Sequence, residues 1–339
     1  MGVSPRRIQR IWVLILWCLC PGRAWILADP VPGVRIPGVQ WELRATGLWV
    51  GQWGTLDPTA LEKSLSILKS GLASSPVRLR SIRELAGRHE PAVVTALQSV
   101  IRDSTRPAAE RAEAVVSLTG MHEDHLSSLL DVLAGAPEEV QLEMVRGLRS
   151  WNRITGVRKS LESLAAGQGR IAVGARWALG RPESRPDSVE AWQGWIAGSR
   201  GDIESGRRLF HSPISGCGQC HRIEGRGGHL GPDLSAIARG SDRKRLLQSL
   251  VNPSREVDPK FAQVSIEILD GEVLQGRLWE DDTSSVVTLI QGAGTLYRIS
   301  PSQIRERRLI SDSLMPEGLL DGMSLDDVRD LMAFLESCQ

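Results

Sequence analysis

The sequence predicts a mainly α protein, in which an N-terminal region of repeated helices precedes a second helical domain interrupted by a small antiparallel β insert. Three observations carry this. Apolar residues recur at three- and four-residue spacing from about 58 to 181, as in Leu61, Leu65, Leu68 and Leu72. Two further amphipathic helices, DIESGRRLF (202–210) and SLDDVRDLMAFLE (324–336), bracket the last part of the chain. Between them the period changes to alternation, from about 261 to 300. The 339 residues, 41% hydrophobic and 24% charged, suffice for two or three domains.

Taken in order, residues 1–24 read as a secretory leader. Arg6, Arg7 and Arg10 precede the apolar run IWVLILWCLC (11–20), and Gly22 and Ala24 stand where small residues flank a cleavage site. The run is shorter than the roughly 20 apolar residues of a membrane span. An uncleaved leader would act as an anchor, and only then is membrane contact expected. Trp17 and Leu19 precede Cys18 and Cys20, so neither cysteine has the small neighbour of a lipoprotein signal. Cleavage removes four arginines and no acids, turning the formal charge from +1 to −3. No basic stretch argues for nucleic acid. Export to a periplasmic or equivalent compartment is expected.

Residues 25–57, rich in Gly, Pro and Trp, read as an irregular lead-in with one short strand around Val39 to Leu43. The helical region 58–181 then repeats. Proline opens PVRLRSIRELAG at 76, PAAERAEAVVSLTG at 107 and PEEVQLEMVRGLRS at 137, and GRIAVGARWALG follows from 169 without it. Proline in a first helical turn loses no hydrogen bond, since that N–H has no partner inside the helix. Stretches 91–101, 124–134 and 157–165 supply the partner helices, so the region is similar to HEAT-like repeats of short period. It is either a docking surface or a packing scaffold. His122 and His125 can share a helical face, but two histidines make a poor metal site.

RPESRPDS (181–188) begins a linker that runs through 182–198, and Trp192 and Trp195 open the next unit, 199–339. In the closing helix Ser324 suits the N-cap, Asp326 and Asp327 the positive end of the dipole, and Leu325, Val328, Leu331 and Leu335 form an apolar stripe. VSIEILDGEVLQGRL predicts a hairpin turning at Asp270 and Gly271, with SVVTLI and TLYRIS as two more strands.

The chemistry gathers in GCGQCH (216–221). Haem c attachment requires two thiols for the two vinyl groups and a histidine that reaches the iron from the same side; Cys217, Cys220 and His221 have that order. Zinc would need further ligands from His211, His229 or the distant Cys338. A redox dithiol would need a strand-to-helix setting and leaves His221 without a role. Cys338 reads as an inert tail thiol. The glycines of RIEGRGGHLGPDLSAIA, namely Gly225, Gly227, Gly228 and Gly231, permit a tight loop. Pro232 and Leu234 stand where c-type cytochromes commonly carry a proline whose carbonyl holds the histidine's other nitrogen and an apolar residue that lines the haem pocket. A sixth ligand is expected from methionine or histidine. Met315, kept extended by Pro316, is the first candidate; Met323, His211 and His229 are the others, and Met332 belongs to the core of the last helix.

With these residues in view, 199–337 resembles the Pirellula/Verrucomicrobium-type haem-binding domain, a variant of the class I cytochrome c fold. The resemblance covers GDIESGRRLF, CGQCHRIEGRGGHLGPDLSAIARG, LLQSLVNPSREVDPKF, DGEVLQGRL and SLMPEGLLDGMSLDDVRDLMAFL in that order. Such domains commonly follow HEAT-like repeats, and many follow a propeller-type dehydrogenase for which this length leaves no room. The resemblance implies one covalent haem c, thioethers at Cys217 and Cys220, and His221 and Met315 as axial ligands of the iron. It implies an electron carrier rather than an enzyme, served by a separate dehydrogenase donor and an electron acceptor. A haem peroxidase, or a redox- or gas-sensing interaction protein, would instead keep the sixth position open, with His229 a candidate distal group.

Overall fold

A computed structural model describes residues 36, 39–53, 58–118, 126–181, 184–198, 200–279, 286–292 and 294–339. The expected leader, with Cys18 and Cys20, and the pair His122 and His125 lie outside the described residues. Among the described residues no helix is long and apolar enough to cross a membrane. The chain divides into two units, one made of residues 1–54 with 262–310 and the other of 55–261 with 311–339.

The first unit corrects the expected fold class. It is a seven-stranded antiparallel sheet, which makes the protein a mixed α and β structure rather than a mainly α one. Its strands are β1 (Val39–Leu43), β2 (Trp49–Trp53), β5 (Gln263–Ile268), β6 (Val273–Leu278), β7 (Val287–Gln291), β8 (Thr295–Ile299) and β9 (Ile304–Ile310), where β3 (Arg222–Ile223) and β4 (Arg226–Gly227) form a separate hairpin. The spatial order is β1-β2-β8-β7-β6-β5-β9. Within the lead-in, the described residues hold β1 at the strand expected around Val39 to Leu43 and a second strand, β2, that was not expected, and the insert does not stop at 300. Its true extent depends on β2 pairing with β8 (Val50 opposite Tyr297) and β9 with β5 (Val264 opposite Leu309), contacts that local alternation cannot reveal. One face packs Leu48, Val50, Val264, Ile266, Leu274, Leu289, Tyr297 and Ile299 into a core. On the other, the Arg298 guanidinium lies 4.1 Å from the ring centre of Trp41.

Among the described residues the second unit begins with eight helices in four pairs: α1 (Pro58–Ser70) with α2 (Ser75–Glu84), α3 (Pro91–Arg102) with α4 (Ala108–Leu118), α5 (Leu126–Leu133) with α6 (Glu138–Leu148), and α7 (Thr155–Ala165) with α8 (Gly169–Ala178). Pro76 lies in the first turn of α2, while Pro107 and Pro137 immediately precede α4 and α6. Helices α2, α4, α6 and α8 stack in one layer, and a continuous core of Leu, Val and Ile runs along the pairs.

The predicted linker 182–198 is corrected too. It contains α9 (Val189–Ala197), whose Val189, Trp192 and Ile196 are buried in a core with the later helices. Its Ser188 cap, which accepts from the Ala191 amide, starts the helix where the polar composition suggested only a tether. The remaining helices are α10 (Ile203–His211), α11 (Cys217–Cys220), α12 (Ile237–Gly240), α13 (Arg243–Val251) and α14 (Leu325–Ser337). Helix α14 begins with a reciprocal box between Ser324 and Asp327. It packs against α10, with Phe210 and Phe334 edge to face at 5.8 Å.

Candidate functional site

Cys217 and Cys220 occupy the single turn of α11, entered through Gly216 in a left-handed conformation (φ 67°). The His221 amide donates to the Cys217 carbonyl at 2.9 Å, after which the backbone becomes extended and the ring turns into the loop that follows. That loop folds back on the turn through backbone bonds. Gly228 N–H donates to Gly218 O at 2.9 Å, Gly231 N–H to Cys220 O at 2.8 Å, and Leu234 N–H to Arg222 O at 2.8 Å. A β-carbon on Gly231 would stand 2.5 Å from Cε1 of His221, so a glycine is needed where the backbone passes the imidazole.

The imidazole is half-buried, and its Nδ1 lies 3.0 Å from the Pro232 carbonyl oxygen. A carbonyl can only accept, so Nδ1 carries the proton and Nε2 presents a lone pair. Burial pulls the His221 pKa below its usual range, partly opposed by this bond, and the ring is neutral at pH 7. Burial likewise raises both thiols above the ordinary cysteine value. Cys217 and Cys220 are separate thiols. They lack the depressed pKa of a thiolate nucleophile of the disulfide-exchange type.

The other predicted residues border the same core. Leu234, Met315 and Cys217 are all partly buried and packed against the cluster formed by Leu209, Phe210, Leu247, Val328, Leu331 and Leu335. Met323 and Met332 are 0% exposed within that cluster, which commits their sulfurs to packing; Met315 is half-exposed. The histidine alternatives are engaged elsewhere. His229 Nε2 meets the Arg222 guanidinium. His211 stands beside Arg226 and Arg207, and burial followed by those two cations lowers its pKa to about 3. The donor set of one histidine nitrogen, one thioether and two thiols fits a covalently held haem, which takes only two ligands to iron from the protein. Among the described residues no group of three or more His, Cys, Asp and Glu side chains is gathered to hold a bare metal ion.

One set of residues went unnoticed in the sequence. Glu113 of α4 is fully buried and reaches Arg207 of α10 at 2.5 Å, Arg226 of β4 at 3.1 Å and Arg83 of α2 at 3.4 Å. Arg146 of α6 reaches Glu143 at 2.9 Å and Asp327 of α14 at 2.5 Å, while Arg208 of α10 reaches Glu143 at 2.8 Å. These charges tie the paired helices to the helices and loop around the CxxCH turn. A hint was present in α4 and α6, where Glu113, Glu143 and Arg146 fall among apolar positions, but amphipathic helices carry many such charges on their solvated sides.

Comparison of the chain with protein-family models gives no match, and no curated protein matches it.

Proposed function

We propose that this chain is an exported monohaem c-type cytochrome that carries electrons one at a time between a separate dehydrogenase and an acceptor protein, and is not itself an enzyme. The observation that carries the reading is the His221 imidazole, whose Nδ1–H is held by the Pro232 carbonyl so that Nε2 is a fixed, neutral donor directly after two thiols. Cys217 and Cys220 would form the two thioethers, and His221 and Met315 would be the axial ligands. Bound in this way, haem c supplies a one-electron iron couple whose potential the methionine sulfur raises. Pro232 orients the imidazole and makes it more basic; Leu234, packed against the core, would present an apolar side chain to the haem. The resemblance of 199–337 to the Pirellula/Verrucomicrobium-type haem-binding domain adds to this reading through the order of its motifs.

The test is an optical spectrum, oxidised and reduced, of the chain produced with haem-attachment machinery, beside a Met315→Ala variant. A reduced c-type spectrum, with the weak sulfur-to-iron band of the oxidised form lost only in the variant, is expected. A high-spin spectrum in the unmodified chain would redirect the assignment to a peroxidase or sensor, and absence of covalent haem would end it.

A further inference from the structure

The segment joining Met315 to α14 is gripped by side chains that lie far away in sequence. The Leu320 and Met323 carbonyls accept from the two terminal nitrogens of Arg185, each at 2.7 Å. Between them, the Gly322 carbonyl accepts from Arg149, just after α6, and from Trp177 Nε1 of α8 at 3.3 Å. The three donors are themselves bound together. The Arg149 and Arg185 guanidiniums lie 5.4 and 4.8 Å from the ring centre of the buried Trp177, and Arg185 lies 5.2 Å from that of Trp192. At its other end the loop is fixed by the Ser313 amide on Ser254 Oγ at 3.1 Å, and the Met315 amide on Ser313 Oγ at 3.1 Å.

Residues 319–322 form a single 3-10 turn; the Leu320 carbonyl accepts from the Met323 amide as well as from Arg185, and the Gly322 carbonyl, at the end of the turn, accepts from the Arg149 and Trp177 side chains. Guanidinium donors on those carbonyls are charge-assisted bonds, stronger than neutral ones. Anchoring both ends of a short loop removes most of the freedom that its middle would otherwise lose on ligation. We propose that Arg149, Trp177 and Arg185 are positioning residues for the Met315 loop, so that the paired helices and the stretch after them hold the methionine sulfur at the site and govern its release. This rests on the assignment of Met315 as an axial ligand.

The experiment uses the full chain as an Arg149→Ala, Arg185→Ala double variant. Without reference to haem, hydrogen exchange is read at the Asp321 and Met323 amides, which donate to Gly318 O and Leu320 O. Their exchange should quicken about ten-fold or more, as the loss of a charge-assisted bond implies. In the haem-bearing chain, carbon monoxide should bind the reduced form about ten-fold tighter and the sulfur band should disappear at lower pH. Leu97→Ala, which opens a cavity in the core of the helix pairs, lowers global stability and should leave band and exchange pattern in place. Should the double variant fail to fold, Arg185→Lys, which keeps a cation but loses the two-pronged geometry, should shift the same readouts in the same direction. Unchanged exchange and band in a folded variant would overturn the proposal. Where the unmodified chain shows the band and Met315→Ala removes it, such unchanged readouts in the double variant overturn the positioning role alone; if Met315→Ala leaves the band intact, the ligand assignment fails and the proposal fails with it.

Discussion

Glu113 keeps its charge in the protein interior because three arginines surround it. Burial opposes ionisation most strongly, yet Arg207, Arg226 and Arg83 overcome it and hold the carboxyl at about 2, against an ordinary 4.5. A folded-state pKa below the unfolded one stabilises the protein fully above pH 4.5, and that contribution, about 3 kcal/mol, is lost as the pH falls towards 2. His211 adds to the same limb. Its ring refuses a proton until about pH 3, whereas the unfolded chain takes one near 6.5, so stability begins to decline below pH 6.5. The urea midpoint measured from pH 8 to 3 should therefore slope downward from about 6.5, and His211→Gln should flatten the part between 6.5 and 4.5. Equal slopes in both proteins would show that His211 is not shielded from protons. Of these residues the sequence showed only that His211 lies near the CxxCH turn. Its neighbours Arg207 and Arg226 are close in sequence, but Glu113 is not, and nothing local marks Glu113 as buried.

At the scale of elements, α10 lies so close on α14 that a β-carbon on Gly206 would run into the Asp330 carbonyl. Backbone cannot step aside as a flexible side chain can. Gly206→Ala should cost about 3 kcal/mol by overpacking, whereas Gly194→Ala in α9, with nothing within 4 Å, should stabilise by about 0.5–1 kcal/mol through helix propensity alone. Thermal unfolding of the two variants reads the difference, and a neutral Gly206→Ala would mean that the helices can separate without loss. The helices of 58–181, α10 and α14 were legible from spacing, whereas α9 was read as linker although its Ser188 cap, like those at Asp202 and Ser324, is a local signal. The strands were legible only in part. VQWEL and the 263–299 stretch alternate as strands do, but the WVGQW of β2 follows no obvious period, and IRERRLI of β9 reads as a charged segment because it lies at the sheet edge.

For the whole molecule, the paired helices are a scaffold rather than an appendage. Arg146, Glu143 and Glu113 are the counterions of Asp327, Arg208, Arg207 and Arg226. A fragment of residues 182–339 would remove the counterions of Asp327, Arg208 and Arg226, leave Arg207 only Glu204, and take β1 and β2 from the edge of β8. The fragment thus loses the cross-links from α4 and α6 and two of seven strands, against a total stability of only about 5–15 kcal/mol for a domain. The fragment is therefore expected to lack a cooperative thermal transition, and a sharp one would show that 182–339 folds alone.

The sequence by itself determined the helix pairs, the hairpin at Asp270 and Gly271, and the order of Cys217, Cys220 and His221, because each depends on neighbours within a few residues. Only the tertiary structure decided that Met323 is spent in the core while Met315 stays at its margin, and that residues 39–53 join a seven-stranded sheet. Those outcomes depend on which surfaces exclude water and which distant strands pair, and neither burial nor long-range pairing leaves a periodic trace in the chain.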